Sequence, residues 1–327
     1  MELPFVTLDV FTSTRLQGNP LAVVTVPASL KDKLPQASKQ KIAQEFNLSE
    51  TVFLHEPPGS ESEGGGPEER NIDIFTTELE IPFAGHPTIG TAVLATYHLR
   101  PRVHTLVTRA GPIGLVPRPG GRVRARIPHD THLHARTLAD VLGPEASGLA
   151  PDPEIRRAEL AAPVFSIVRG MTFVLVKLAS LEQLANVSTA YRLDFDALPT
   201  RLRDEGPWGG GGLVTRYYYV DMGESKGGGE GEEEGTRDIR ARMVELGFED
   251  PATGSAASAL AAYLTLNGGE EKGRKFRVTQ GVEMGRKSDI SVETTTKQGA
   301  DGGVELVDLW LGGTAVVVMK GSLTVDV

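Results

Sequence analysis

Cysteine is absent from this chain of 327 residues, and its absence removes several classes of function together. Without a thiol the chain forms no disulfide, holds no metal ion through cysteine and uses no thiolate nucleophile. Acid–base chemistry has to use other side chains.

Long apolar runs and an excess of positive charge are missing as well. No stretch approaches the about 20 apolar residues that cross a membrane, and the first residues lack the basic segment of a secretory signal. The 34 Lys and Arg residues are outnumbered by 43 Asp and Glu residues, for a net charge of −9. We therefore expect a soluble cytoplasmic protein with no membrane partner and no basic surface for nucleic acid.

Size and composition indicate a globular protein of two domains. The chain is 39% hydrophobic and 24% charged, and its length allows more than one core. We place the first domain at residues 1–128 together with a final strand at about 315–327, and the second domain at 129–314. Two Gly/Glu-rich segments, 57–70 and 223–236, have the composition of disordered insertions.

The most informative stretch is 247–264, which is typical of a short loop followed by a buried helix. Asp250 fits a helix N-cap, and Pro251 fits the first helical position. The residues after Ala256 are small or apolar on all sides, which is typical of a helix inside a core. Thr253, Gly254 and Ser255 then fall in the first turn, where backbone N–H groups suit an anion such as a carboxylate.

The same pattern occurs at 82–97, and the two stretches align without a gap at an offset of 164 residues. This similarity predicts an internal repeat in which each half wraps a sheet around one apolar helix. His86 aligns with Asp250, so we expect both side chains to cap helices and to flank a shared cleft. The alternative is a chance similarity between two Ala-rich helices.

Two further candidates lie in the first half. Strands at 5–11 and 21–26 predict a hairpin whose turn contains Asn19, which is either a turn-forming residue or a ligand contact. An amphipathic helix at 35–47 and a strand at 51–54 place Glu50 at their junction, directly before a strand with a buried pattern. The alternative for Glu50 is an exposed turn residue.

The second half contains several other patterns. Residues 180–186 and 194–203 predict short helices, and strands are expected on both sides of Arg169. His129, His132 and His134 fall in a polar stretch without cysteine or an adjacent glutamate. We expect these histidines to be solvated, and we predict no metal site.

Five motifs together resemble the phenazine-biosynthesis PhzF family. They occur in the family's order: QGNPLAVV at 17–24, NLSET at 47–51, PFAGHP at 82–87, EDPATGSA at 249–256 and QGVEMGR at 280–286. The resemblance implies a diaminopimelate-epimerase-like α/β (α+β) fold. In this fold two pseudo-symmetric halves each wrap a curved, mostly antiparallel sheet around a central buried helix. It also implies a homodimer.

The resemblance further implies an isomerase that moves a proton between ring carbons without a cofactor, as on trans-2,3-dihydro-3-hydroxyanthranilate. The family's base corresponds to Glu50, and its other acid–base groups correspond to His86 and Asp250. Its serine corresponds to Ser255. Related enzymes of this fold use two cysteines, which this chain lacks, so a carboxylate must serve as the base.

The substrate's carboxylate is expected at the backbone N–H groups near Gly85, Gly254 and Ser255, with Asn19 as a further substrate contact. Three readings stay open: a PhzF-like isomerase, an enzyme with the same fold and residues acting on another small carboxylic acid, and a non-catalytic small-acid-binding or interaction protein. The presence of Glu50, His86 and Asp250 argues against the third.

Overall fold

A computed structural model of the chain describes residues 1–57, 69–99, 103–225, 235–244, 247–268, 273–299 and 302–326. The chain divides into two compact units. The first unit is Met1–Ile127 with Leu311–Val327, and the second unit is Pro128–Trp310.

Most of the two Gly/Glu-rich segments lies outside the described residues. At the edges of these segments, the prediction of disordered insertions was wrong for several described residues. Residues 69–70, 223–224 and 236 belong to strands rather than to insertions, since their backbones join the sheets.

The described residues form seventeen strands. In chain order they are β1 Glu2–Val10, β2 Asn19–Val26, β3 Thr51–His55, β4 Glu69–Phe75, β5 Glu80–Ile81, β6 Thr105–Thr108, β7 Gly111–Arg118, β8 Arg122–Arg126, β9 His132–Leu133, β10 Val164–Val168, β11 Met171–Lys177, β12 Leu213–Glu224, β13 Thr236–Arg242, β14 Lys275–Gln280, β15 Ser288–Gln298, β16 Val304–Gly313 and β17 Ala315–Thr324.

The described α-helices are fewer. They are α1 Gln36–Phe46, α2 Gly85–Tyr97, α3 Pro153–Ala161, α4 Leu181–Ala185 and α5 Gly254–Asn267, with short 3-10 turns at Ala28–Lys33, Leu138–Asp140 and Gly206–Trp208.

In the first unit, β1 lies between β2 and β17 and is antiparallel to both. The sheet continues through a parallel β2–β3 pair, an antiparallel β3–β4 pair, a parallel β4–β6 pair and an antiparallel β6–β7 pair. Helix α1 connects β2 to β3, and helix α2 lies between β4 and β6 in the chain.

The second unit repeats this series of pairings. An antiparallel β10–β11 pair is followed by a parallel β11–β12 pair, an antiparallel β12–β13 pair, a parallel β13–β14 pair and an antiparallel β14–β15 pair. Helix α4 connects β11 to β12, and α5 lies between β13 and β14 in the chain. The internal repeat is therefore confirmed by the topology, as is the expectation of mostly antiparallel sheets around a central helix.

Both central helices are buried, as their composition predicts. Every residue of α2 from Gly85 to Thr96 is buried, and α5 is buried from Ala256 to Ala262. Small residues allow this close packing: a Cβ atom on Gly90 would lie 2.6 Å from Leu21 and 2.7 Å from Val10. Helix α2 packs on β1, β2, β3, β8 and β17, and α5 packs on β10, β11 and β15.

The predicted helix starts were wrong. Helix α2 begins at Gly85 after the N-cap Ala84, and α5 begins at Gly254 after the N-cap Thr253. The two helices therefore start 169 residues apart, whereas the gapless alignment gave 164. As a result, His86 is the second residue of α2, while Asp250 lies in the loop before α5, and neither is an N-cap.

The helix predicted at 194–203 was also wrong. The Asp194 carboxylate accepts hydrogen bonds from the backbone N–H groups of Asp196, at 3.0 Å, and Ala197, at 3.1 Å. Such a side-chain contact competes with helical hydrogen bonding and stabilises a turn instead.

Candidate active site

Glu50 occupies the junction between α1 and β3, where the chain turns from the helix into a fully buried strand. Asn47 ends α1 in the left-handed conformation, and the next residues lead directly to the glutamate. The side chain of Glu50 is 18% exposed, so it is not the solvated turn residue of the alternative reading. Burial raises the pKa of Glu50 above its usual range, and a hydrogen bond with Ser49 opposes this only in part.

His86 brings an imidazole to this carboxylate from the first turn of α2. Its Nε2 atom lies 3.7 Å from Oε2 of Glu50, and its side chain is 6% exposed. This distance exceeds that of a hydrogen bond, but catalytic contacts in a site without substrate are often long and shorten when substrate binds. The geometry thus pairs a partly buried carboxylate with a buried imidazole in the first unit.

Asn19 lies on the other side of the imidazole. It is the first residue of β2, it is buried, and its Nδ2 atom lies 3.4 Å from Nδ1 of His86. An amide nitrogen donates and does not accept, so Nδ1 is the acceptor and the ring proton belongs on Nε2, the atom facing Glu50. Asn19 therefore orients His86, a role that a simple turn residue would not have.

The loop before Asn19 carries backbone strain. Phe11 and Leu16 have φ angles of 62° and 66°, in a region that side chains with a Cβ atom rarely adopt. The Leu16 N–H donates to the buried Asp9 carboxylate at 2.6 Å, and the Phe11 N–H donates to the Thr314 carbonyl at 2.8 Å. Sequence reasoning missed Asp9, because an acidic residue in an alternating strand gives no signal of this contact.

Asp250 is held in the loop before α5 by contacts on both its backbone and its side chain. Its N–H donates to the Met243 carbonyl at 2.9 Å. Its carboxylate accepts from the Ala252 N–H at 3.3 Å and from the Thr253 hydroxyl at 2.7 Å. The carboxylate thus stabilises the turn that precedes the helix, rather than the first helical turn.

Arg242 and Gln280 hold the loop that carries Asp250, and sequence reasoning identified neither contact. The Glu249 carboxylate forms a bidentate ion pair with the guanidinium of Arg242, with N–O distances of 2.9 and 2.8 Å. Arg242 also donates to three backbone carbonyls at the end of α4, so this pair ties the loop to the rest of the unit. Gln280, at the end of β14, contacts both Asp250 and Thr253.

The remaining predicted contacts lie at the helix starts. Gly85 is the first residue of α2, and Gly254 and Ser255 are the first two residues of α5. Within the described residues, no side chain caps the first turn of either helix. These N-termini have the polarity that attracts a carboxylate.

The expected solvation of the histidines was wrong for His134, which is buried. His132, His134 and Asp204 have ligand atoms within 4.8 Å of one another. However, Nδ1 of His134 accepts from the Asp204 N–H at 3.0 Å, and Nε2 contacts the Ser166 hydroxyl at 2.8 Å. Both ring nitrogens therefore have partners that a metal ion would have to displace.

The same hydrogen bonds argue against a Ser–His–Asp nucleophile. A catalytic imidazole accepts the serine proton, whereas here the backbone donor at Nδ1 leaves the ring proton on Nε2, directed at Ser166. Ser166 is itself buried and contacts the Thr172 hydroxyl at 2.7 Å. This cluster is best explained as part of the core.

The structure therefore brings Glu50, His86 and Asn19 together in the first unit. In the second unit it places Asp250 close to Gly254 and Ser255 at the start of α5. That both groups act on one substrate in a shared cleft stays a prediction. Among the described residues, no helix is both long and apolar enough to span a membrane.

Comparisons with known proteins agree with the motifs. The model of the PhzC-PhzF family, described as phenazine biosynthesis-like protein, matches residues 8–202 and 228–321. An uncharacterized isomerase of Mesorhizobium japonicum is 34% identical over 330 residues, which cover 96% of each chain. The trans-2,3-dihydro-3-hydroxyanthranilate isomerase of Pseudomonas fluorescens is 31% identical over 292 residues, which cover 87% of each chain.

A solved structure supports the fold. The PhzF-family phenazine biosynthesis protein of Bacillus anthracis superposes with a TM-score of 0.69 at 20% identity, covering 99% of this chain and 100% of the other. The family match spans most of the chain, and both of these relatives are named as isomerases. The chain belongs to the PhzC-PhzF family of phenazine biosynthesis-like proteins and is an isomerase of that family.

Proposed function

We propose that this isomerase moves a proton between carbon atoms of a small cyclic unsaturated carboxylic acid, without a cofactor, with Glu50 as the base. The observation that carries the proposal is the partly buried Glu50 carboxylate, whose pKa is raised by burial and which lies 3.7 Å from the His86 imidazole. The trans-2,3-dihydro-3-hydroxyanthranilate named for the Pseudomonas fluorescens relative is one member of this substrate class.

The raised pKa of Glu50 suits proton abstraction next to an unsaturated system. A base works best when its pKa lies near the working pH, and burial moves a carboxylate toward that range. Glu50 takes the proton from one carbon, and the resulting carboxylic acid returns it to another carbon, while the His86 Nε2–H donates a hydrogen bond and keeps its proton. No electrons leave the substrate, so the reaction needs no redox partner.

His86 has a defined protonation pattern in this scheme. The contact with Asn19 leaves its proton on Nε2, the nitrogen that faces Glu50. From there the imidazole can donate to Glu50 or to the substrate, and Asn19 keeps the ring from rotating. This arrangement follows the general pattern of an acid–base pair oriented by a third group.

The substrate's carboxylate is proposed to bind at the starts of α2 and α5, through backbone N–H groups at Gly85, Gly254 and Ser255. Helix N-termini attract anions through their exposed donors and their dipole. Asp250 is proposed to bind the substrate's polar substituents or to relay the proton. This part requires that both units contribute to one site.

Incubation in deuterium oxide tests the proposal. The protein, dialysed against EDTA, is mixed with a panel of cyclic unsaturated acids that includes trans-2,3-dihydro-3-hydroxyanthranilate, and mass spectrometry follows the label. We expect enzyme-dependent incorporation that Glu50→Gln abolishes and Glu45→Gln, at an exposed carboxylate of α1, leaves intact. Binding of the acids without incorporation would instead support a non-catalytic small-acid-binding protein.

A further inference from the structure

Gln280 is a fully buried amide at the end of β14, and it contacts the loop that carries Asp250. Its Nε2 atom donates to the Asp250 carbonyl at 2.8 Å and to the Thr253 hydroxyl at 3.0 Å. Its Oε1 atom accepts from the Thr253 N–H at 3.2 Å and from the Tyr217 hydroxyl at 2.9 Å. With two donors and two acceptor sites used, the hydrogen-bonding capacity of the amide is complete.

The orientation of this amide is fixed by its partners. A backbone carbonyl only accepts, so Nε2 must face Asp250, and a backbone N–H only donates, so Oε1 must face Thr253. Burial raises the pKa of Tyr217 well above its usual value, which keeps its hydroxyl protonated as a donor to Oε1. Rotating the amide by half a turn would break these contacts in a site where unpaired polar groups are costly.

The fixed amide also determines the direction of the Thr253 hydroxyl. Because Nε2 of Gln280 donates to the Thr253 oxygen, the hydroxyl proton is directed away, to Oδ2 of Asp250 at 2.7 Å. The contacts form one directed series from the Gln280 amide through the Thr253 hydroxyl to the Asp250 carboxylate. Hydrogen bonds arranged in such a series strengthen one another.

We propose that Gln280 is a positioning residue that, through Thr253, holds the Asp250 carboxylate and the start of α5 in the geometry that turnover requires. This inference rests on the proposed function, which assigns Asp250 and the N-terminus of α5 to the substrate. Gln280 itself is too deeply buried to act on substrate directly, so its effect is transmitted through the loop.

The contact between Gln280 and the Asp250 loop is not local helix capping, because the residues are far apart in the chain. Gln280 lies 30 residues after Asp250 and reaches it only because β14 ends beside the loop. Gly281 allows this approach, since a Cβ atom there would lie 2.7 Å from the Pro251 carbonyl oxygen. The strand end and the catalytic loop are therefore packed backbone to backbone.

The test compares Gln280→Met, which keeps the side-chain length but removes all four hydrogen bonds, with Val278→Ala. Val278 is buried on the same strand and forms part of the core, so its truncation lowers stability without touching the loop. Two measurements are made on each variant: amide hydrogen exchange of the segment 247–256, and turnover of trans-2,3-dihydro-3-hydroxyanthranilate.

We expect Gln280→Met to lose exchange protection in this segment and to lower kcat roughly 10- to 100-fold, the effect of misplacing a catalytic group by about 1 Å. KM should change less, because Gln280 does not touch the substrate. Val278→Ala should keep both the local exchange protection and kcat, even where its melting temperature falls as far as that of Gln280→Met.

Thr253 supplies a second, independent test of the series. Thr253→Ser keeps the hydroxyl and should keep kcat, whereas Thr253→Val should lower it. If the contacts act as one series, the double variant Gln280→Met with Thr253→Val should be no slower than the slower single variant. Multiplicative losses in the double variant would overturn the series.

The outcomes separate the two proposals. Unchanged exchange in Gln280→Met would overturn the positioning role, as would unchanged kcat in a wild-type protein that turns the acid over. If the wild-type protein turns over no acid of the panel, the proposed function fails, while the exchange measurement still decides whether Gln280 holds the loop.

Discussion

Oε2 of Glu50 and Nε2 of His86 lie 3.7 Å apart in the interior of the first unit, and Asn19 contacts the opposite nitrogen of the same imidazole. The carboxylate belongs to the loop that connects α1 to β3, and the imidazole belongs to the first turn of α2. Because both elements pack on the sheet, the pair has a defined geometry before any substrate binds.

Replacing Glu50 by Gln tests the proposed base directly. The variant keeps shape and hydrogen bonding but cannot accept a proton, so turnover should fall by ~10²–10⁴-fold, the usual worth of a positioned general base. Binding of trans-2,3-dihydro-3-hydroxyanthranilate, measured by calorimetry, should change little. If binding and turnover are lost together, Glu50 is a substrate contact and the base has to be His86 or Asp250.

The same variant makes a prediction for stability. Burial raises the pKa of Glu50 above 4.5, so the folded state holds this proton more tightly than the unfolded state. The resulting stabilisation is fully present below pH 4.5 and is lost as pH rises through the raised pKa. Glu50→Gln should therefore be as stable as the wild type or more stable at neutral pH, in urea titrations at several pH values. A less stable variant would contradict the burial of a charge at this position.

Replacing Asn19 by Asp tests how His86 is oriented. An aspartate accepts where the amide donated, so it draws the ring proton to Nδ1 and leaves Nε2 without a proton toward Glu50. Turnover should fall roughly 10- to 1,000-fold. The melting temperature should fall as well, because Asn19 is buried and the aspartate places a charge there, so rates are compared well below the lowered melting temperature. Asn71→Asp adds the same charge at an exposed position of β4 and should have no effect. Equal rates for Asn19→Asp and wild type would show that the tautomer does not matter.

The sequence predicted the fold better than the details of the site. The composition of α2 and α5 identified both buried helices, and the similarity of the stretches 82–97 and 247–264 predicted the repeat, although the helices start 169 residues apart rather than 164. The start of α5 was missed because capping rules consider only the nearest neighbours in the chain. The backbone of Asp250 is held instead by Met243, before the loop, and by Gln280, which lies 30 residues later at the end of β14. Asp9 and Arg242 were missed for the same reason, since their partners become neighbours only in the folded chain.

Acid should destabilise the protein through His134. Burial, with a smaller contribution from His132, lowers the pKa of His134 from 6.5 to about 4. The unfolded chain therefore takes up this proton first, so stability is complete above pH 6.5 and falls as pH drops toward 4. The loss from this group is at most about 3.5 kcal/mol, from about 1.4 kcal/mol per pKa unit.

Urea titrations between pH 7 and 4 check this prediction. His134→Gln preserves an acceptor and a donor but does not titrate, so its stability should vary less with pH in this window. His98→Gln, at an exposed position, should retain the wild-type dependence. Burial opposes the charge on Asp73, but hydrogen bonds and charges from His55 and Lys39 outweigh it and lower the pKa to about 2. Asp73 therefore contributes a separate loss of stability below pH 3.8, its ordinary pKa. Identical pH curves for His134→Gln and wild type would contradict the assignment.

Gly281 and Gly285 provide a matched pair that separates backbone strain from steric contact. Both have positive φ angles, 74° and 76°, so an alanine at either position adopts a conformation that side chains disfavour. They differ in their surroundings: a Cβ atom at Gly281 would lie 2.5 Å from the Arg286 carbonyl oxygen and 2.7 Å from that of Pro251, whereas Gly285 has open space.

Gly285→Ala should therefore cost only the conformational strain, about 1 kcal/mol, while Gly281→Ala should cost roughly 2–3 kcal/mol or more, because two backbone segments must also move. One of those segments precedes Asp250, so Gly281→Ala should also lower kcat, and Gly285→Ala should leave it close to wild type. Urea denaturation and initial rates on trans-2,3-dihydro-3-hydroxyanthranilate measure the two effects. Equal losses of stability in both variants would mean that the end of β14 and the Asp250 loop are not in close contact.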